Sequence, residues 1–243
     1  MADLLEVERL SKRFGSIVVA DNIDLSLAHG TCLGVIGPNG AGKSSLFNLI
    51  VGAVAPDSGS IRLEDRELVG LPPHLRARLG IGRAYQTPQP FPHLTSYENV
   101  LAAAAFGGGL HGTEAERWAV EILARTHLAD KANAIAGALP LLDRKRLEFA
   151  KAMASRPKLL LLDENAAGLT EPEIEQLVSL IAAAKVDHAI IWIEHIPHAL
   201  SMVADRLLIL NFGAKILEGA PSDVMASQVV REIYMGLTAD DLA

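Results

Sequence analysis

A glycine-rich segment ending in lysine and serine carries the strongest chemical signal in this chain. It fits the pattern G-x-x-x-x-G-K-[ST], and its residues are Gly37, Pro38, Asn39, Gly40, Ala41, Gly42, Lys43 and Ser44. Glycines let consecutive backbone N–H groups point at a polyphosphate, and a following helix adds the positive end of its dipole. A lysine at this position reaches the β- and γ-phosphates, and the next hydroxyl ligates Mg²⁺. The segment therefore predicts a nucleotide site, with Lys43 on the phosphates and Ser44 on the metal ion.

The residues on either side of this loop have the character that the loop requires. Thr31 to Ile36 predicts a short buried strand, and Ser45 to Val51 predicts the first turns of a helix. We include Ser45, the first residue of that helix, in the phosphate-binding set.

Two adjacent carboxylates provide the second signal. Four leucines at 159–162 predict a strand buried on both faces, and Asp163 and Glu164 follow directly at its carboxyl end. Ligands of open α/β sheets bind at that edge. We therefore expect Asp163 to hold Mg²⁺ through its water shell, and Glu164 to orient and polarise an attacking water.

The rest of the pattern predicts an α/β protein with two additions to its parallel sheet. Alternating residues predict antiparallel strands within 4–27, with a turn at 14–16, and another strand at 60–63. Helical spacing from about 96 to 155, clearest in 114–127 and 144–154, predicts an inserted helical region. Further strands are predicted at 158–162, 189–193, 206–210 and 215–218, followed by a helix starting near Ser222, with Ser222 or Asp223 as its cap.

The bulk properties exclude several classes of protein. The chain has 243 residues and a formal net charge of −7, which argues against a nucleic-acid surface. Its apolar runs are too short or too interrupted by glycine and proline to cross a bilayer, and its acidic N-terminus does not resemble a secretory signal. The single cysteine, Cys32, falls in a predicted buried strand. These features predict a cytoplasmic protein.

Taken together, these residues resemble the nucleotide-binding subunit of ATP-binding cassette (ABC) transporters over nearly the whole chain. The resemblance implies a RecA-like P-loop ATPase core with an antiparallel β subdomain and an inserted α-helical subdomain. It implies a single ABC ATPase domain over 1–243, in which 1–86 and 156–220 form the core with the β subdomain. Residues 87–155 would then form the helical subdomain, and 221–243 a C-terminal helix.

The same resemblance assigns roles to residues outside the two main motifs. Phe14 matches the aromatic residue that stacks on adenine, with Val19 as a second contact. Gln86 matches the glutamine that senses Mg²⁺ and the γ-phosphate. His195 matches the switch histidine on the γ-phosphate; His198 lies close by, but the end of the predicted strand favours His195. The implied ligands are ATP and Mg²⁺, with Ser44, Gln86 and Asp163 at the metal ion.

The chain departs from the family pattern at the signature Leu-Ser-Gly-Gly-Gln, which the partner's ATP contacts across a dimer. The matching segment here is Leu139-Pro140-Leu141-Leu142-Asp143. The serine hydroxyl is lost, leucines replace glycines, and Asp143 is expected to place negative charge near an anion. Arg144, Lys145 and Arg146 could supply a compensating positive field. Asn165 and Thr170 likewise replace the usual proline and aspartate of the family.

This departure leads to a hypothesis of unequal sites. The chain's own site, with Lys43, Glu164 and His195, would hydrolyse ATP against an intact signature of a second ABC subunit. The partner's ATP would face 139–143 and turn over poorly, which favours a heterodimer, although a homodimer stays open.

Many weaker matches resemble the branched-chain amino-acid importer subfamily, including 71–83, 85–86, 91–100, 193–195, 210–213 and 232–236. The resemblance implies transmembrane permease subunits as partners, with a permease helix in a groove from Gln86 to about Phe106. A solute-binding protein would take part indirectly, and the chain would lie on the cytoplasmic face of the inner membrane. A weakly catalytic regulatory subunit and a lipid-exporter cassette are the alternatives.

Overall fold

The computed structural model describes residues 3–228 and 230, and its strands form two sheets. The strands within this part of the chain are β1 (Asp3–Phe14), β2 (Ile17–Ala28), β3 (Cys32–Ile36), β4 (Ser58–Leu63), β5 (Arg66–Glu67), β6 (Ile81–Ala84), β7 (Leu159–Asp163), β8 (Ala189–Ile193), β9 (Arg206–Asn211) and β10 (Ala214–Gly219).

The larger sheet has the order β10-β9-β3-β8-β7-β6. All neighbouring pairs in it are parallel except β9 with β10, which are antiparallel. Every residue of β3, β7 and β8 is buried, as the continuous apolar runs predicted. The predicted parallel α/β core is confirmed.

The smaller sheet is antiparallel and has the order β2-β1-β4-β5. Phe14 pairs with Ile17 across the turn between β1 and β2, so the predicted hairpin is confirmed. Side chains of the larger sheet join the two sheets, because Lys215 donates to the backbone oxygen of Asp24 at 2.7 Å and Arg206 donates to that of Ser26.

Helices connect and cover the sheets. The α-helices of the described chain are α1 (Lys43–Val51), α2 (Pro73–Arg78), α3 (Ser96–Ala102), α4 (Gly112–Arg125), α5 (Leu141–Ala154), α6 (Glu171–Lys185), α7 (Pro197–Ser201) and α8 (Pro221–Ala226). A π-helical turn at Ala103–Gly107 continues α3, and short 3-10 turns at Ala129–Lys131 and Ala136–Ala138 lead into α5. The predicted helical character of this region is confirmed, although α5 begins earlier than the predicted residue 144.

Two hydrophobic cores lie on opposite faces of the larger sheet. One contains α1 and the smaller sheet, and it takes Leu33 and Val35 of β3. The other contains the helical region and α6, and it takes Cys32 and Ile36. Because alternate residues of a strand point to opposite faces, β3 contributes to both cores and holds the glycine-rich loop between them.

The start of the C-terminal helix differs from the prediction. Ala220 occupies the N-cap of α8, so Ser222 and Asp223 lie within its first turn and do not cap it. Pro221 at the first helical position accounts for this, since its fixed φ favours a helix start and its missing N–H needs no acceptor there. Residues 229 and 231–243 of the predicted helix 221–243, and the matching segment 232–236, lie outside the described residues. The limits 1–86, 87–155 and 156–220 stay a prediction.

None of the helices described is long and apolar enough to cross a membrane.

A buried arginine of α2 contacts the C-terminal end of α1. Arg76 of α2 is 2% exposed, and its guanidinium donates to the backbone oxygens of Leu49 at 2.8 Å, Ile50 at 3.0 Å and Leu71 at 3.0 Å. The last carbonyls of a helix lack intrahelical partners. Arg76 gives the Ile50 oxygen a donor and adds a second donor to the Leu49 oxygen, which also accepts the Gly52 N–H at 3.2 Å.

We expect Arg76→Ala to lower the free energy of unfolding by about 3 kcal/mol, because it leaves buried carbonyl oxygens without donors. Arg78→Ala is the matched control, since Arg78 lies on the same helix and is exposed. Urea unfolding of both variants measures the effect. Equal midpoints for the two variants would contradict this account of Arg76.

Candidate functional site

The glycine-rich loop leaves β3 and enters α1 with no space for a side chain at two positions. A Cβ atom at Gly37 would lie 2.2 Å from the backbone oxygen of Leu210, and one at Gly42 would lie 2.4 Å from that of Val19. Gly42 also has a φ of 102°, in the left-handed region that favours glycine. The loop therefore needs glycine at both positions to pack between β2 and β9.

The Lys43 ammonium lies inside the curve of this loop. It donates to the backbone oxygens of Gly37 at 2.6 Å and Pro38 at 3.0 Å. Burial lowers the pKa of Lys43, and the charges of Glu164 and Asp163 oppose that change. No side chain among the described residues caps the N-terminus of α1, and Ser44 is exposed there. A cation and a helix N-terminus thus lie together, which is the arrangement that favours a polyphosphate.

Gln86, Glu164 and His195 meet at the carboxyl edge of the same sheet. The Gln86 amide donates to Oε2 of Glu164 at 2.5 Å, and Nε2 of His195 lies 2.6 Å from Oε1 of Glu164. The Glu164 backbone has a φ of 45°, which is uncommon for a residue other than glycine. Its N–H donates to the backbone oxygen of Ile193 at 2.9 Å. Each oxygen of the Glu164 carboxylate is therefore oriented by a different part of the chain.

Asp163 is paired with an arginine that the sequence analysis did not single out. The Arg83 guanidinium contacts Oδ2 of Asp163 at 2.6 Å and donates to the side-chain oxygen of Asn48 at 2.8 Å. It also lies over the rings of Phe47 and Tyr85, 5.6 Å and 4.7 Å from their centroids. The sequence feature that could have identified Arg83 is that it is the lone charged residue in an otherwise small and apolar strand, β6.

Glu194 is a second functional candidate that the sequence analysis passed over. It is 1% exposed, and its carboxylate accepts from the Ala166 N–H at 2.6 Å, the Trp192 indole at 3.2 Å and the His195 N–H at 3.3 Å. Burial raises the pKa of Glu194 to about 7, and these hydrogen bonds oppose that rise. The sequence feature that could have identified Glu194 is an acidic residue directly after the apolar strand β8.

Three charged side chains on one face of α5 hold the chain around Gln86. Lys145 donates to the backbone oxygen of Gln86 at 2.5 Å, and Lys151 donates to that of Gln89 at 2.6 Å. Between them Glu148 accepts the Gln89 N–H at 3.0 Å and contacts Lys151 at 3.0 Å. Burial lowers the pKa of Lys145, opposed by the charges of Glu194, Glu164 and Glu148. We call Lys145, Glu148 and Lys151 the α5 clamp, and they join the helical region to the chain at 86–89.

A cavity of about 560 Å³ lies beside this clamp. It is lined by α1, α2, β6 and α5, and Glu148 and Lys151 of the clamp border it together with Arg83 and Tyr85.

The segment 139–143 differs in one respect from the expectation. Asp143 is 3% exposed, and its carboxylate forms ion pairs with Lys131 and with Arg146, the latter at 3.1 Å. Its charge is therefore neutralised inside the protein, and the expectation that it is presented to an anion is wrong. Lys145 and Arg146 are also buried and engaged, so only Arg144 of the three expected cations is exposed.

Thr170 and Asn165, which replace the usual residues of the family after Glu164, differ in their surroundings. The Glu173 carboxylate accepts from both the N–H and the hydroxyl of Thr170 at the start of α6, at 2.8 Å and 2.7 Å. Asn165 is 1% exposed, and no partner for either polar atom of its amide is found among the described residues.

The two residues predicted to contact adenine lie on the hairpin formed by β1 and β2. Phe14 is 51% exposed at the end of β1, and the Lys12 ammonium lies 5.2 Å from the centroid of its ring. Val19 lies nearer to the glycine-rich loop, since its backbone borders Gly42. His198 is exposed on α7.

The sheet order and the loop at its carboxyl edge define the class of P-loop nucleotide-binding proteins. Residues 20–167 match the family described as ABC transporter. The chain belongs to this family, and the predicted family is confirmed.

Two curated relatives match almost the full chain. BraF of Pseudomonas aeruginosa, a high-affinity branched-chain amino acid transport ATP-binding protein, is 35% identical over 96% of this chain and 98% of its own. LptB of Escherichia coli, a lipopolysaccharide export system ATP-binding protein, is 30% identical over 96% of this chain and 97% of its own.

The solved structures support the same fold. The ADP conformation of MJ1267, an ATP-binding cassette of an ABC transporter, superposes with a TM-score of 0.88 and 27% identity over 98% of this chain and 100% of that chain. The predicted RecA-like cassette fold is confirmed.

We expect Lys145→Met to increase hydrogen exchange of the amides in 86–89, because the loop loses a charged donor while the apolar stem is kept. Arg144→Met is the matched control, since the neighbouring Arg144 is exposed. Hydrogen–deuterium exchange with mass spectrometry measures both. Unchanged exchange in Lys145→Met would show that this lysine does not hold the loop.

Proposed function

We propose that this chain is the ATP-binding and ATP-hydrolysing subunit of an ABC importer for branched-chain amino acids or a related small polar solute. One observation carries the proposal: Gln86 and His195 converge on Glu164 beside a complete phosphate loop, in a chain 35% identical to BraF. The lower identity to LptB makes a lipid-exporter cassette the less favoured alternative.

The glycine-rich loop would bind the triphosphate of ATP. Its backbone N–H groups, the Lys43 ammonium and the N-terminus of α1 supply positive potential on one side. Lys43 would exchange its bonds to the Gly37 and Pro38 oxygens for bonds to the β- and γ-phosphates. Phe14 would stack on the adenine ring, with Val19 as the second contact.

The oxygen ligands near Lys43 fit a magnesium ion. Ser44 follows Lys43 in the first turn of α1, and Asp163 ends β7 at the carboxyl edge of the same sheet. We propose that Ser44, Asp163 and the amide oxygen of Gln86 hold the ion, since Mg²⁺ prefers hard oxygen ligands. The bound ion would neutralise charge on the phosphates, while Arg83 keeps the Asp163 carboxylate oriented.

Glu164 would act on the attacking water. Its carboxylate is fixed by Gln86 on one side and His195 on the other, so little reorientation is needed before the reaction. His195 is partly exposed, with 38% of its side chain accessible, and would also contact the γ-phosphate. Hydrolysis in such sites depends on positioning and charge stabilisation.

The partners follow from the family. We propose that two cassettes close around two ATP molecules and that this closure drives permease subunits, which receive solute from a binding protein. The exposed rings of Tyr85, Phe91 and Phe106 border the proposed permease groove, with exposures of 42%, 57% and 84%. The chain would then lie on the cytoplasmic face of the inner membrane.

The segment 139–143 supports unequal sites in that dimer. Pro140 and Leu141 are exposed where the family places a serine and a glycine, and Pro140 at the N-cap of α5 offers neither a hydroxyl nor an N–H. Burial of Asp143 removes the expected repulsion but adds no group that could bind phosphate. We therefore propose a heterodimer whose second cassette carries an intact signature.

Affinity purification of the tagged full-length chain from membranes, followed by mass spectrometry and an ATPase assay, tests the function. An importer requires a co-purifying permease and ATP turnover by the complex. Absence of adenine-nucleotide binding would reject the whole proposal. A lipid-export permease in place of an importer permease would reject the substrate class only.

We expect Phe14→Ala to raise the Kd for ATP about five-fold, because the base loses its stacking partner. The Kd for inorganic triphosphate, which has no base, should not change. Ile17→Ala is the matched control, since Ile17 is 65% exposed on the same hairpin. Isothermal titration calorimetry of the wild-type chain and both variants measures the affinities for the two ligands, and equal weakening of ATP and triphosphate binding would count against stacking.

We expect Glu164→Gln in this chain to reduce ATPase turnover of the complex at least about ten-fold, whereas the same change in the second cassette costs less than about two-fold. The reason is that only this chain's site faces an intact signature. Steady-state ATPase of the two purified complexes measures the difference. Equal losses, or a complex containing only this cassette, would refute the unequal sites.

A further inference from the structure

We propose that Glu194 is a positioning residue that fixes the positions of Glu164 and His195 relative to each other. The proposed consequence for turnover rests on the function proposed above, whereas the structural part can be tested without it.

Glu194 joins two segments that are distant along the chain. Its Oε1 accepts the N–H of Ala166, two residues after Glu164, and its Oε2 accepts the N–H of His195. The Trp192 indole also donates to Oε1 and so fixes the rotation of the carboxylate. One buried side chain therefore sets the distance between the turn after β7 and the residue after β8.

The turn after β7 is also supported by backbone hydrogen bonds, from the Ala167 N–H to the Glu164 oxygen and from the Leu169 N–H to the Ala166 oxygen, both at 3.2 Å. The Glu164 N–H donates to the backbone oxygen of Ile193, which anchors the start of the turn to β8. The Asn165 amide, which could have anchored its middle, has no partner among the described residues. The Ala166–Glu194 bond is thus the side-chain contact that anchors the end of the turn.

The surroundings of Glu194 select a carboxylate at this position. All three groups that contact it are N–H donors, and an ionised carboxylate satisfies them because it only accepts. A glutamine of the same shape must turn its NH₂ towards at least one N–H donor. These three donors favour the ionised form, against burial and the charge of Glu164, which raise the pKa of Glu194.

The test compares Glu194→Gln with Asp205→Asn in the full-length chain. Asp205 is a matched control because its carboxylate also accepts a backbone N–H, that of Cys32 at 2.8 Å, and contacts Lys185 at 2.8 Å. Asp205 precedes β9 and lies at the opposite edge of the same sheet, so its replacement should not disturb the site.

We expect Glu194→Gln to increase hydrogen exchange in 164–168 and 194–196 but not in the other strands. Asp205→Asn should leave both segments unchanged. In the purified complex, Glu194→Gln should lower kcat for ATP about ten-fold with KM within about two-fold, because the phosphate loop is untouched. Glu194→Asp, which keeps the charge but is too short to reach both N–H groups, serves if Glu194→Gln does not fold, with the same expected exchange pattern.

Unchanged exchange in both segments would overturn the proposal. A normal kcat in a variant whose hydrogen exchange has increased would overturn the part of the proposal that concerns turnover. Failure of the wild-type chain to bind ATP would instead reject the proposed function, and the exchange result would still decide whether Glu194 holds the two segments.

Discussion

The parallel pairing of β3, β8 and β7 is the constraint on which the site depends. Val35 of β3 pairs with Ile193 of β8, and Ile193 pairs with Asp163 of β7, so the three strands end together. The phosphate loop, His195 and Glu164 each follow one of these ends. A shift of one residue in either pairing would turn a strand's side chains to the opposite face and separate these groups. The two hydrophobic cores prevent such a shift, because each face of each strand is buried.

Most buried charges near the site are bonded to backbone atoms. Lys43 holds carbonyls of its own loop, Lys145 holds that of Gln86, and Glu194 holds the N–H groups of Ala166 and His195. A buried charge is costly unless hydrogen bonds compensate for the lost water. Here the compensation also fixes loops. The loops around the site are therefore held in part by side chains from neighbouring elements, and we expect substitution of such a side chain to loosen them.

The first turn of α5 and the clamp further along the helix make separate sets of contacts. Its first turn has lost the hydroxyl and glycines typical of the family, and Asp143 faces inward to Lys131 and Arg146. The clamp further along the helix is complete and still contacts the chain at 86–89. Under the proposed function, such a cassette would keep its own site and its connection to the helical region, while offering little to a nucleotide on a partner. This combination is what the proposed heterodimer requires.

The sequence alone determined the fold class and the glycine-rich loop, and it singled out Gln86, Glu164 and His195, which the structure brings together. Local patterns sufficed because a loop that binds phosphate needs glycines, a cation and a hydroxyl at set spacing, and buried parallel strands need continuous apolar runs. Only the tertiary structure decided that Arg83 pairs with Asp163, that Asp143 is buried, and that Glu194 bridges two turns. These contacts join residues far apart along the chain, and whether a charged side chain points to solvent or to a distant partner depends on packing that no local pattern contains.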